Sequence, residues 1–385
     1  MDEQLMPLRI FLCGLLLLSS VAAAQNIIPE PPAIDATGYL LIDADTERVL
    51  AGQEMDATLP PASLTKIMTS FVAAAELAAG RISITDDVPI SVAAWRTPGS
   101  RMFVREGTTV TLGELLKGIV VQSGNDASVA VAEYIAGTET AFAEMMNQQA
   151  QALGMYASHF QNATGLPDEG HYTSVRDLAT LTRALIRRYP EHYASYAERS
   201  FTFNDIEQPN RNRLLWRDRT VDGVKTGYTK EAGYCLVASA LRDGMRLITV
   251  VMGTTSDEAR MRETQKLLKY GFRYFQTQKL YDANVMLKQS EVWYGAVDTV
   301  KLGVTDLVYV TIPRGRYDDL KAETDIARVI EAPLEPGQEL GALRVTLDDE
   351  VVFEAPLVAL EAVAAAGFFK RLWHALYLFF SGLFR

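Results

Sequence analysis

Ser63 and Lys66 stand three residues apart in Ser63-Leu64-Thr65-Lys66. On a helix that spacing puts a hydroxyl and an amine on one face, within reach of each other. Pro60 and Pro61 precede the pair, and Ala62-Ser63 opens an apolar run, the pattern of a loop turning into the first turn of a helix. From Ala57 to Ala75 the only charged residue is Lys66, and Leu64, Ile67, Met68, Phe71 and Val72 surround it, so the helix is expected to be buried. Burial without a carboxylate lowers the pKa of an ammonium. A neutral amine beside a serine hydroxyl is then a general base facing its nucleophile. A capping serine followed by a solvated lysine is the alternative, and the tetrapeptide alone does not separate the two.

Two further patterns follow in order, Ser123-Gly124-Asn125 and Lys225-Thr226-Gly227. The elements expected around them place each one. Thr111-Leu112-Gly113-Glu114 is a capping box opening a helix through Val121; Ser123-Gly124-Asn125 breaks it, and a second helix runs from Asp126 to about Ala136. Lys225 to Gly227 close a strand from Val221. Alone, Ser123 reads as a turn serine, Asn125 as a helix cap and Lys225 as an exposed strand lysine. Together the three patterns match, in order and in context, the set used by serine enzymes that react with penicillin.

The rest of the chain supplies a scaffold. Thr37 to Asp43 and Arg48 to Ala51 read as a hairpin; Thr140 to Leu153 is a helix stopped by Gly154. His159 to Tyr172, with Gly165, Pro167 and Gly170, is a loop long enough to be functional. Ser174 to Arg188 is helical, with Asp177 completing a second capping box. Tyr234 to Ala240 and Met245 to Met252 form a hairpin across Arg242-Asp243-Gly244, and Asp257 to Phe275 is a closing helix. Strands at both ends with helices between them predict an α+β domain whose sheet joins its two termini. After residue 276, short strands are expected at Val300 to Leu302, Leu307 to Ile312, Ala327 to Ile330, Ala342 to Leu347 and Val351 to Phe353, a small all-β domain.

The chain has 385 residues, 48% hydrophobic and 22% charged, with a net charge of -11, which suits two domains and argues against nucleic acid as a partner. Leu8-Arg9, the apolar run Ile10 to Leu18 and Ala22-Ala23-Ala24 have the layout of a cleavable export signal, with Met6 as the working start. Cys13 lies in that run and is not read as lipidated. Cys235 alone is left in the mature chain, so no internal disulfide is expected. At the other end, residues 369, 372, 373, 376, 380, 383 and 384 are bulky at helical spacing, with Lys370, His374 and Ser381 opposite. This stretch is shorter than the ~20 apolar residues of a spanning helix and fits an interfacial anchor; a terminal helix docked on the protein itself is the alternative. The expected units are thus a signal at 1–24, a catalytic domain at 25–275, a β-rich domain at 276–363 and an amphipathic anchor at 364–385. The histidines form no ligand pair at helical spacing, and neither metal nor cofactor is expected.

Beyond the three motifs, Gln122 to Ala127, Asn210-Arg211-Asn212, Val221 to Gly227 and Ile312-Pro313-Arg314-Gly315-Arg316 make nearly the whole chain resemble the low-molecular-mass penicillin-binding proteins, the D-alanyl-D-alanine carboxypeptidases. The resemblance implies a β-lactamase/DD-peptidase-like domain, peptidoglycan stem pentapeptide as substrate, β-lactam antibiotics as covalent ligands, and a periplasmic enzyme held peripherally on the inner membrane. It implies that Ser63 attacks the bond between two D-alanines, with Lys66 as base and Ser123 relaying a proton to the leaving amine. Asn125 would hold the substrate peptide, and Lys225 and Thr226 its carboxylate, with Gly227 allowing close approach. The oxyanion hole would be the N–H groups of Ser63 and Tyr228. Arg211 and Arg260 match arginines of the family by their spacing from Lys225, which implies places at the site edge, with Arg260 as helper for the carboxylate. Tyr228 stands where close relatives often have histidine. A serine β-lactamase would share the motifs, yet His159 to Tyr172 lacks the Glu-x-x-Leu-Asn pattern that supplies its water-activating glutamate. A transpeptidase would differ only in using an amine rather than water as acceptor, and a catalytically silent wall-binding scaffold is the reading from another class.

Overall fold

The computed structural model describes residues 28–383. The export signal, Cys13, Phe384 and Arg385 lie outside the described residues, as do the side chains of Phe380, Ser381 and Leu383.

Gly38–Asp43 (β1) and Val49–Gln53 (β2) form the expected antiparallel hairpin. A 3-10 turn, Ala62–Leu64, then leads into Thr65–Ala78 (α1), which is buried along nearly its whole length. A small strand pair, Asp87–Pro89 (β3) and Thr109–Thr111 (β4), brackets Val92–Arg96 (α2). Leu112–Lys117 (α3) is capped by Thr111, whose Oγ1 accepts the Glu114 N–H, and continues as a π-helical turn over Gly118–Gln122. Asn125–Ala136 (α4), Glu139–Ala152 (α5) and Val175–Arg188 (α6) follow. The second capping box differs from expectation. Ser174 does accept the Asp177 N–H, but the Asp177 carboxylate also takes the Ala157 N–H and the Ser158 hydroxyl, tying the helix start to the preceding turn.

Pro190–Tyr193 (α7), the hairpin Ser200–Phe203 (β5) and Ile206–Pro209 (β6), and Leu214–Arg217 (α8) lead to three long strands, Val221–Thr229 (β7), Gly233–Arg242 (β8) and Met245–Thr254 (β9). The sheet order is β2-β1-β9-β8-β7, so the N-terminal hairpin docks on β9 as expected and β7 is an edge. Period-two alternation buries both faces. Leu40, Ile42, Val237 and Val250 meet Ile67, Phe71 and Leu178 on one side. Tyr39, Leu41, Leu236 and Val251 meet Leu267 and Phe272 of Asp257–Tyr274 (α9) on the other.

Beyond α9 come Phe275–Tyr281 (β10), Met286–Glu291 (β11), Thr299–Gly303 (β12), Val308–Pro313 (β13), Lys321–Ile326 (β14), Glu339–Leu347 (β15) and Glu350–Ala359 (β16). They make a five-stranded sheet, β11-β12-β16-β15-β14, and a β10-β13 pair. The strand expected at Ala327 to Ile330 is not one. The chain there is a loop that buries Ile330, whose carbonyl accepts the Trp293 N–H, while the strand precedes it as β14. β11 and β14 are the edges of the sheet, and Lys288, Gln289, Lys321, Glu323 and Asp325 give them the polar composition that edges use against aggregation and that hides them from a hydrophobic pattern. This unit meets the first through Asp43, whose Oδ2 accepts the Thr277 hydroxyl at 2.5 Å, and through Arg48, which donates to the Thr311 carbonyl at 2.5 Å.

Phe368–Leu383 (α10) ends the described chain. Its polar side faces the protein: Lys370 pairs with Asp298 at 2.7 Å, His374 Nδ1 accepts the Tyr294 N–H at 2.8 Å, and Tyr377 stacks on Trp293 at 5.4 Å between centroids. Phe368, Phe369 and Trp373 are exposed. No helix among the described residues is long and apolar enough to cross a membrane.

Candidate active site

Ser63 lies in the 3-10 turn, one residue after Ala62, which is held at φ 48 in the left-handed region. That costs a non-glycine residue about 1–3 kcal/mol and persists where the surroundings over-determine it. Those surroundings are visible at two glycines: a Cβ on Gly165 would sit 1.8 Å from the Ala62 carbonyl oxygen, and one on Gly227 would sit 3.1 Å from that of Pro61. The turn that carries Ser63 is therefore gripped between the 159–172 loop and the edge strand β7.

Lys66 is 1% exposed. Its Nζ lies 3.1 Å from Ser63 Oγ, 2.6 Å from Asn125 Oδ1 and 2.5 Å from the Thr164 carbonyl oxygen. Burial lowers its pKa to about 7; the nearby carboxylates Asp126 and Glu139 resist that fall and Arg211 assists it. No carboxylate is among the three contacts, as the unpaired-lysine reading required. The neutral amine has two N–H groups and one lone pair. The amide oxygen and the carbonyl can only accept, so they take both N–H groups, and the lone pair is left for the Ser63 hydroxyl. The geometry thus aims the lone pair of a neutral Lys66 at the Ser63 hydroxyl.

Ser123 follows the π-helical turn at φ 67 and is buried; such turns frequently mark functional sites. Asn125 begins α4. Its Nδ2 donates to the Pro98 carbonyl at 2.6 Å, which fixes Oδ1 toward Lys66. Asp126, beside it, accepts the N–H groups of Met102, Phe103 and Val104, so the loop ahead of β4 is fastened to the same helix start.

On β7, Lys225 and Thr226 are buried, and Lys225 Nζ donates to the Thr226 carbonyl at 3.0 Å. Burial pushes the Lys225 pKa well down, and the charges of Lys66, Arg211 and Arg260 push the same way. An acidic chain thus gathers four basic side chains around one site, where burial and neighbouring positive charge depress the two lysines. Arg211 Nε donates to the Gln122 carbonyl at 3.1 Å, next to Ser123. Arg260 is buried beneath the strand. One of its nitrogens donates to the Gly227 carbonyl at 3.0 Å and another pairs with Asp257, so it meets the site through the backbone of β7. Tyr228 is exposed and packs on Tyr234 at 4.3 Å between centroids.

Two contributors escaped the sequence reading. The Thr164 carbonyl is a backbone atom and has no residue signature. Asn212, whose Nδ2 donates to the Gly223 carbonyl at 2.8 Å, holds β7 from the side; it stood in the Asn210-Arg211-Asn212 motif without a role.

An antiparallel sheet against helices, with a serine and a lysine at the start of a buried helix and a cationic edge strand beside them, defines an active-site serine acyltransferase of the penicilloyl-transferase type. The family model described as D-alanyl-D-alanine carboxypeptidase matches residues 25–256, and that for the C-terminal domain of penicillin-binding protein 5 matches residues 275–365. The chain belongs to the D-alanyl-D-alanine carboxypeptidase family of serine peptidases. It is 42% identical over 367 residues to the Escherichia coli K12 carboxypeptidase DacC, covering 93% of this chain and 92% of that one. It is 43% identical over 368 residues to DacA of the same strain, covering 94% and 91%. Among solved structures, penicillin-binding protein 5 from Haemophilus influenzae matches with a TM-score of 0.85 and 41% identity, over 87% of this chain and 99% of that one.

Proposed function

We propose that this carboxypeptidase removes the terminal D-alanine from peptidoglycan pentapeptides through an acyl-enzyme on Ser63, and that penicillins acylate the same serine. In this reading Lys66 takes the Ser63 proton, Ser123 passes a proton to the departing D-alanine, and the N–H groups of Ser63 and Tyr228 stabilise the oxyanion. Lys225 and Thr226 bind the terminal carboxylate, Asn125 the peptide, and Gly227 gives it room; Arg211 and Arg260 supply the surrounding positive field. The observation that carries the reading is the Lys66 nitrogen, held by two acceptors so that its free electron pair points at Ser63.

The facing loop presents to Lys66 a backbone carbonyl, not the carboxylate that a class A β-lactamase uses to activate its deacylating water. Penicillin should therefore stay bound. Incubation with labelled penicillin should give a persistent adduct that peptide mapping locates on Ser63, and incubation with a pentapeptide ending in D-Ala-D-Ala should release D-alanine. Rapid penicillin turnover without D-alanine release would favour the lactamase reading instead.

We also propose that residues 1–24 are an export signal, that 25–275 and 276–363 are the catalytic and β-rich domains, and that 364–385 anchor the enzyme peripherally on the periplasmic face of the inner membrane. Support for the anchor comes from α10, which turns Lys370 and His374 to its own domain and leaves Phe369 and Trp373 exposed. Deleting residues 366–385 should move the protein from the membrane to the soluble fraction; retention in the membrane would reject the anchor.

A further inference from the structure

The Thr164 carbonyl supplies half of what aims the Lys66 lone pair, and it sits in a loop without regular secondary structure between α5 and α6. Asn162 shapes that turn: its Oδ1 accepts from the Thr164 N–H at 3.1 Å, the Thr164 hydroxyl at 2.9 Å and the Gly165 N–H at 2.8 Å. Thr69 donates to the Ala163 carbonyl at 2.7 Å. The two arms of the loop pair at their base through the His159 and Tyr172 backbones, and His171 ties them to α1. Its ring is buried, with Phe160 edge-on at 5.7 Å. Nδ1 accepts the Gln161 N–H at 3.2 Å, so the ring proton is on Nε2, which lies 2.9 Å from Thr65 Oγ1. One imidazole thus joins both arms of the loop to the residue that immediately precedes Lys66.

We propose that His171 is a positioning residue for the Lys66 base: its neutral, Nε2-protonated ring holds residues 161–164 against Thr65, so that the Thr164 carbonyl takes one Lys66 N–H and leaves the lone pair on Ser63. The inference rests on Ser63 and Lys66 being the acylating pair. The groups facing the ring are Thr65 from α1, Gln161, Phe160 and Asp168 from the loop, and the charges of His159 and Lys66 farther off. Burial holds the imidazole down to about 4, so it stays neutral while Lys66 titrates at about 7. A protonated Nδ1 would set a donor against the Gln161 N–H and release the clamp.

The test is the second-order rate of acylation by labelled penicillin, followed across the titration of Lys66. Without the clamp, water reaches the buried ammonium. His171→Ala should therefore lower the limiting rate about tenfold and shift the acid limb to higher pH. His171→Gln, which offers both an acceptor and a donor, should restore the limb. Thr65→Val should reproduce the alanine effect, and the double variant should be no worse than either single change, because both break one link. The proposal is overturned if His171→Ala loses thermal stability but keeps the wild-type limb and rate, if glutamine behaves as alanine does, or if the two changes add. Should His171→Ala not fold, His171→Gln and Thr65→Val carry the comparison. Failure of the wild-type protein to label at Ser63 would be a separate result, against the acylating pair itself.

Discussion

Lys66→Met is expected to lower both penicillin acylation and D-alanine release by roughly 10³-fold, within the range of a lost general base, and Ser63→Ala to remove both. Methionine has the length of the lysine stem, so the buried helix keeps its filling. What goes is the lone pair at Ser63 Oγ, together with the donors to Asn125 and Thr164. The wild-type pH profile follows from the same atom. With the pKa lowered to about 7 by burial, the ammonium predominates below that value and the base above it. Since only the neutral amine can accept the serine proton, acylation should fall about tenfold for each pH unit below the midpoint and level off above it. The measurement is the second-order acylation constant against pH for the free enzyme. A flat profile through neutrality, or a Lys66→Met enzyme that acylates within tenfold of the wild type, would remove Lys66 from the role of base.

The Ser63–Lys66 pair was legible because its oddity is chemical: a lone charge in an apolar run signals either error or use. Ser123, Asn125 and Lys225 became legible only as a set, since each has an ordinary structural explanation by itself. Residue types could not show what the backbone contributes. The Thr164 carbonyl, the left-handed Ala62 and the Gln161 N–H are all main-chain features, and their positions come from packing between segments far apart in the chain. Arg260 illustrates a related limit. The resemblance implied a helper for the substrate carboxylate, and residue types could not show that its guanidinium reaches the Gly227 carbonyl from beneath the strand. In the second domain, hydrophobic runs located β12, β13, β15 and β16 because these carry the core, and passed over the polar edges β11 and β14. The terminal helix showed its amphipathic pattern plainly, yet which face met the protein depended on Trp293, Tyr294 and Asp298, residues distant in sequence.

Gly165→Ala should be the most damaging single-methyl change near the site. The residue lies at φ 80, where a side chain costs about 1–2 kcal/mol of backbone strain. Its Cβ would also fall 1.8 Å from the Ala62 carbonyl oxygen and 2.8 Å from Thr65 Oγ1. Neither neighbour is the loose end of a flexible chain, so a segment must move. If the loop retreats, Thr164 leaves Lys66; if the turn retreats, Ser63 and its N–H leave the proposed oxyanion hole. Either displacement, at the scale of an ångström, should slow acylation by about 10²-fold. Gly80→Ala isolates the other term. Gly80 has φ 68 at the end of α1, and a Cβ there meets nothing within 4 Å. It should lose a comparable amount of stability from backbone strain alone and acylate at the wild-type rate. Thermal midpoints and acylation constants for the two variants separate strain from displacement. Equal acylation by Gly165→Ala and Gly80→Ala would mean that the grip of the loop on the serine turn has no part in aiming the reaction.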